Sequence, residues 1–173
     1  MNIFVEVFSD RGSKVTFYTI RKEDAELSET DDFFRRISAK PEYKEDVYKL
    51  VHLLSNTIAN QFGANEKYFN RDERKASAFP PKKYSAFKKE SVVSFSYSPL
   101  RLYTLKVSES IVVLFNGGIK LTKGSAQEDP EVSMYFHEAN EYAKKIEQAI
   151  QEGMICLRGK TMLNFQGGKT IMI

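Results

Sequence analysis

The stretch LRLYTLKVSESIVVLFNGGIK, residues 100 to 120, and the segment after it carry side chains able to hold or move charge on a substrate: Arg101, Tyr103, Lys120, Lys123, Tyr135 and His137. Arginine and lysine stabilise an oxyanion or a phosphorane, while tyrosine and histidine exchange protons or stack on a base. Metal-free RNA cleavage needs these functions together: a base for the 2′-hydroxyl, cations around the phosphorane and an acid for the leaving 5′-oxygen. Each residue also has a plainer role open to it. Arg101 suits a surface strand position paired with a glutamate, and Lys120 and Lys123 suit a sheet edge kept soluble by charge. Tyr135 shares a helical stripe with Ile146 and suits burial, whereas His137 points away from that stripe and suits plain exposure. His52 falls roughly opposite the apolar face of its own segment and reads as solvated.

These residues need elements to position them. Leu100, Leu102 and Thr104 alternate with Arg101, Tyr103 and Leu105, the period of a two-faced strand. Ser108-Glu109-Ser110 turns the chain into Ile111 to Phe115, an apolar run of the kind found in a strand covered on both faces. Asn116-Gly117-Gly118 is expected to end that run and free the backbone. Upstream, Ile3 to Phe8 and Val15 to Arg21 flank Ser9-Asp10-Arg11-Gly12 and predict a hairpin. Glu29 to Ala39 predicts a short helix capped by Ser28 or Thr30 and stopped before Pro41. Tyr43, Val47, Leu50, Val51, Leu54, Ile58 and Phe62 recur at helical spacing, with Gly63 where a C-terminal cap belongs. The two helices form a hairpin whose apolar stripe needs a sheet to cover it. Residues 65 to 89 read as a long surface loop, and Val92 to Tyr97 as a strand. Glu131 to Glu152 predicts a long helix with Val132, Tyr135, Ala139, Tyr142, Ala143, Ile146 and Ile150 on one side. Thr161 to Phe165 and Lys169 to Ile173 predict a terminal hairpin around Gln166-Gly167-Gly168.

Composition sets the frame. A chain of 173 residues with 42% hydrophobic content can build a real core as a single domain spanning residues 1–173. Cys156 is the single cysteine, so no intrachain disulfide forms, and with His52 and His137 far apart no metal-ligand spacing exists. No phosphate-loop or dinucleotide fingerprint is present, and no cofactor is expected. No signal-like start or membrane-length apolar run is seen, which reads as a cytoplasmic chain without membrane attachment. The overall charge of +3 hides an uneven distribution, because Lys67 to Lys123 holds 12 Lys or Arg against 4 Asp or Glu. Such a basic middle suits a polyanion, with Lys82, Lys83, Lys88 and Lys89 as backbone-phosphate contacts and Tyr103 as an aromatic neighbour. An ordinary solvated surface accounts for it equally well.

The order of helix pair, strand with "LRLY", apolar strand, "GGIK" and terminal helix resembles the RelE/HigB-like toxins of the RelE/ParE superfamily, from bacterial type II toxin–antitoxin modules, in particular their phage-derived branch. The resemblance covers roughly residues 28 to 150. It implies an α+β fold in which an antiparallel sheet packs on an N-terminal helical hairpin, with a long C-terminal helix. Residues 1–21 and 154–173 would then be β-hairpin extensions. It implies a ribosome-associated mRNA endoribonuclease that inhibits translation, in which Arg101 and Lys120 hold the scissile phosphate. Lys123 would assist them, and Tyr135 or His137 would help with proton transfer or stacking. A cognate antitoxin with an acidic amphipathic segment, together with the ribosome and its mRNA, would be the partners. The same superfamily holds members that act only through protein contacts, so a non-catalytic protein-binding module is the other function implied.

Overall fold

The computed structural model describes residues 1–69, 72–73, 75–81, 98–121 and 129–173. The chain opens with two strands, β1 (Ile3–Ser9) and β2 (Thr16–Lys22), paired as the hairpin that the turn chemistry predicts. Helix α1 (Glu29–Ser38) follows. Ser28 caps it by accepting from Asp31 N, Glu29, Asp31 and Asp32 fill its first turn, and Arg35 and Arg36 its last, so both ends of the helix dipole meet opposite charge. Helix α2 (Lys44–His52) continues without a break into a π-helical segment, Leu53–Phe62. After β3 (Asp72–Glu73) and β4 (Ala76–Phe79) come the long strands β5 (Leu100–Ser108) and β6 (Ile111–Ile119). Helix α3 (Pro130–Gln151) is capped by Asp129, which accepts from Glu131 N, and starts with proline, where a missing N–H costs nothing. Strands β7 (Ile155–Arg158), β8 (Thr161–Asn164) and β9 (Ile171–Met172) complete the chain.

The main sheet has seven strands in the order β3-β4-β5-β6-β2-β1-β9. Strand β6 is central. Each of its residues is buried, as an uninterrupted apolar run requires of a strand covered on both faces. One face packs Phe17, Val112 and Leu114 against Phe33 and Ile37 of α1 and against Leu50, Leu54 and Ile58. The other packs Tyr103, Val113 and Phe115 against Phe136, Ala143 and Ile146 of α3. Fully buried side chains such as Phe33 and Phe136 each contribute roughly 1.5–3 kcal/mol relative to exposure.

This architecture corrects the expected antiparallel sheet on an N-terminal helical hairpin. Strands come first, and the helix pair occupies one face while α3 covers the other. Strand β2 lies parallel to β6, with Thr16 opposite Ile111 and Thr19 opposite Leu114, so the sheet is mixed. The reason is that β6 needs a neighbour on each edge. β5 supplies one, and the N-terminal hairpin, expected as an extension, supplies the other. The C-terminal expectation is also revised: β8 pairs with β7 in a separate two-stranded ribbon, and β9 returns to pair with β1. The Gln166–Gly168 stretch is the connection between them, with Asn164 Oδ1 accepting from Gln166 N and Gly168 N. The strand expected at Val92–Tyr97 lies outside the described residues.

The π-helical segment is tied at its C-terminal end to the first hairpin. Lys14 N and Val15 N, in the β1–β2 connection, donate to Ala59 O, and Ser13 N donates to Asn60 Oδ1. At Gly12 a Cβ would lie 2.5 Å from Ala59 Cβ, so glycine is what lets the hairpin approach this closely. The carbonyl of Ala59 thus serves the hairpin.

Candidate nucleic-acid interface

The residues expected to act on RNA are only partly brought together. Arg101 is 6% exposed, and its Nη1 donates to Ser98 O and Leu100 O, both at 2.7 Å. It secures the entrance of β5 and is not presented to solvent as a phosphate ligand would be. Tyr103, expected on the RNA-facing surface, is fully buried, with Phe136 edge-on at 5.9 Å. Lys120 lies just past β6, its main-chain N–H donating to Pro99 O. Arg101 and Lys120 therefore share one end of the β5–β6 hairpin. Tyr135 and His137 lie two positions apart on α3, on different flanks, Tyr135 half-buried and His137 exposed. Lys123 and the four lysines 82, 83, 88 and 89 lie outside the described residues.

The glycine pair does not end β6 but stays within it. Between Leu102 and Thr104 the register shifts from Gly117 to Leu114, which places a β-bulge next to Asn116. A Cβ on Gly117 would sit 1.7 Å from Arg101 O, so this position admits only glycine. The bulge turns Asn116 toward α1. There its Nδ2 donates to Glu29 Oε2 and Asp32 Oδ2, and its Oδ1 accepts from Arg36 Nη2.

Asn116 belongs to a crevice that sequence reasoning missed. It lies at the carboxyl ends of the parallel strands β2 and β6, where the chain leaves for α1 on one face and for α3 on the other. Open α/β sheets commonly bind ligands at such a point. About 540 Å³ of space is lined by Lys22, Glu26, Glu29, Asp32, Arg35, Asn116, Tyr135 and Glu138 among others. Arg36 is its hub: it donates to Asp32, Asn116 and Gly117 O, and its guanidinium stacks 4.6 Å from the Tyr135 ring centre. Burial pushes the Asp32 carboxyl up, but hydrogen bonds from Arg36, Asn116 and Arg35 outweigh it and hold the pKa below the ordinary value. Burial disfavours the Lys22 ammonium, yet Glu29, Tyr142 and Glu138 more than offset this and raise its pKa. Burial raises Tyr142, with Glu29 and Glu138 adding to the effect, to about 12. Burial likewise raises Tyr135.

Two helices begin at this end of the sheet, a geometry that invites anions. The chain's own carboxylates already stand in those first turns, Glu29, Asp31 and Asp32 in α1 and Glu131 in α3. A phosphate entering here would meet four lining carboxylates, Glu26, Glu29, Asp32 and Glu138, against Lys22 and Arg35. The crevice is a self-neutralised polar network that joins α1, β6 and α3.

Three lysines meet elsewhere, against two lining carboxylates, in a groove of about 610 Å³ lined by Glu66, Lys67, Phe69, Lys75, Ser77, Leu105, Lys106 and Glu147. Asn140 of α3, almost fully buried, anchors the backbone at Lys75 beside it, because its Oδ1 accepts from both Lys75 N and Ala76 N at the start of β4. Lys75 meets Glu147 at 2.9 Å and Lys106 meets Glu109 at 3.2 Å, while the Lys67 ammonium lies 5.5 Å from the Phe62 ring centre. Lys75 and Glu109 are mostly exposed, so these pairs are worth at most about 1 kcal/mol each. The sequence signal for this groove was the basic bias from Lys67 onward. What it lacked was the fold that brings Lys67, Lys75 and Lys106 together.

Among the described residues no group of three or more His, Cys, Asp or Glu is placed to hold a metal ion, and no helix is long and apolar enough to cross a membrane. In comparisons with known proteins, no family model, no curated protein and no solved structure matches this chain.

Proposed function

We propose that this chain is an RNA-binding module that grips the phosphate backbone of a single strand along the β4–β5 flank. The convergence of Lys67, Lys75 and Lys106 on one groove, inside a segment with 12 basic against 4 acidic residues, carries this reading. Phosphate neutralisation supplies most sequence-independent nucleic-acid affinity, and it needs no more than cations spaced along a path. Cleavage needs a base, an acid and cations around one phosphate. The described residues offer a buried Arg101, and a Tyr135 and His137 on different flanks of a helix, so the reading stops at binding.

Fluorescence anisotropy with an unstructured labelled RNA, read from 50 to 300 mM salt, tests it. Replacing Lys67, Lys75 and Lys106 together by Gln is expected to reduce the slope of log affinity against log salt by about 2, since each single-strand phosphate contact contributes about 0.7. An unchanged slope would remove the groove from the interface. Saturable binding of an acidic helical peptide with none of RNA would replace this reading by a protein-binding one. A cleaved product on a denaturing gel would restore the ribonuclease. Induced expression that arrests bacterial growth, relieved by the triple substitution, would extend RNA binding to inhibition of translation.

A further inference from the structure

Strand β1 ends in a bulge. Val7 pairs with Tyr18 and Ser9 with Phe17, which leaves Phe8 as an extra residue in the strand. Two residues of β1, Phe8 and Ser9, therefore stand against one residue of β2, the arrangement by which a bulge re-aims side chains beside a site. Both line one slot together with Phe17, on the face of the sheet that α1 covers.

The slot measures about 300 Å³ and lies between the bulge, α1 and the junction of α2 with the π-helical segment, which contribute Phe34, Val51, Leu54 and Ser55. Phe17 and Leu114 of the parallel strands, both buried, form its floor, and Val51, 42% exposed, stands at its mouth. Phe8 and Phe34 stack beside it, with ring centres 6.1 Å apart and planes 14° from parallel. Protein interiors leave few apolar voids of this size unfilled. A recess that runs from the surface down to the central strand, walled by phenylalanines and aliphatic side chains with a few polar groups, has the make-up of a small-ligand pocket. Its volume sits at the lower end of their range of about 300–1,000 Å³.

The polar members fix the chemistry of the occupant. Asp31 is the one charged residue of the lining, and a carboxylate only accepts hydrogen bonds. Ser55 Oγ already donates its hydrogen to Val51 O at 2.7 Å, so it too is left to accept. Arg35, one turn along α1, is held by Asp32 at 2.7 Å and does not line the slot. An anionic group is turned away, because α1 opens with Glu29, Asp31 and Asp32. We propose that the slot binds an arylalkylammonium ligand, its ring against Phe8 and Phe34 and its ammonium donating to Asp31. The site is separate from the lysine groove, with which it shares no lining residue.

The test is a titration of the ¹⁵N-labelled full chain with tryptamine. Saturable amide shifts centred on Phe8, Ser9, Asp31, Phe34, Val51 and Ser55 are expected. Indole-3-propionate, which carries a carboxylate in place of the ammonium, and pentylammonium, which lacks the ring, should each bind at least about tenfold more weakly. Val51→Trp fills the mouth and should abolish saturation. Asp31→Asn keeps the main-chain N–H that Ser28 Oγ caps and should erase the difference between the two indoles. Should Val51→Trp fail to fold, Asp31→Asn carries the test alone. No saturable shift, shifts centred elsewhere, equal affinity of the wild-type chain for the two indoles, a difference that persists in Asp31→Asn, or full-strength binding by Val51→Trp would overturn the proposal. Dimerisation that shifts the slot amides without tryptamine would assign the slot to a second copy, and tighter binding of a blocked phenylalanyl-lysine dipeptide would assign it to a protein partner. Either result also overturns it.

Discussion

Arg36 concentrates more of the tertiary structure than any residue named from the sequence. Its guanidinium fork meets Asp32 on its own helix, Asn116 and Gly117 on the central strand and the Tyr135 ring on the opposite layer, and Glu131 stands 3.9 Å away. Lysine would keep the charge but lose the planar fork and the stacking surface. Arg36→Ala is expected to lower unfolding free energy by about 1–3 kcal/mol in urea titration, and Arg36→Lys to recover only part of it, because one ammonium cannot replace both the Nη2 that serves Asn116 and Gly117 O and the Nε that serves Asp32. Gly117→Ala is a sharper test. A Cβ placed 1.7 Å from Arg101 O must push two paired strands apart, so a loss above about 3 kcal/mol, or failure to fold, is expected. A stable, wild-type-like Gly117→Ala protein would contradict the β5–β6 register.

At the scale of elements, contacts between segments distant in the chain add what the local pattern does not carry. The apolar stripe from Tyr43 to Phe62 announces a helix and places its end at Gly63, whose φ is +76°. It does not announce that the second half winds as a π-helix, nor that the hairpin N–H groups meet Ala59 O in its last turn. Gly12→Ala is therefore predicted to disturb the π-helical segment at a distance of 47 residues along the chain, since its Cβ would stand 2.5 Å from Ala59 Cβ. Amide hydrogen exchange should show faster exchange at Lys14, Val15 and residues 58–63, while the α3 face stays protected. Uniform protection across both would mean that the contact relaxes without consequence. Asn140 plays a comparable part for β4, clamping Lys75 N and Ala76 N. Asn140→Ala leaves these donors without their acceptor and should cost about 1–3 kcal/mol while also loosening the lysine groove.

For the whole molecule, the shifted groups at the crevice define a stability plateau in pH. Asp32 has its pKa lowered by folding, so its contribution is complete above the ordinary carboxylate range and is lost as pH falls through the lowered value. Tyr142 and Lys22 have theirs raised, so their contributions are complete below their ordinary values near 10 and are lost as pH rises, for Tyr142 through about 12. Thermal unfolding midpoints should thus stay level between about pH 5 and 9 and fall on both sides. Tyr142→Phe should flatten the alkaline fall, and an unchanged alkaline slope would show that the phenol is not held in its protonated form. Much of this molecule was legible in the residue order: the N-terminal hairpin, the capped α1, the doubly covered β6 and the long α3 all follow from period, turn chemistry and capping, which act over a few neighbouring residues. What could not be read was which strands become neighbours and on which face each helix lands. The parallel pairing of β2 with β6 joins residues about 95 apart, and it alone creates the crevice and brings Arg36 to Asn116. It also sent Arg101 and Tyr103 inward, because β6 and its neighbour are covered on both faces, and alternation along a strand marks an outer side only when one face stays open to water. Local preferences are written in sequence, whereas burial is a property of the whole chain closing on itself, and it is burial that decided which of the charged side chains remained available to a partner.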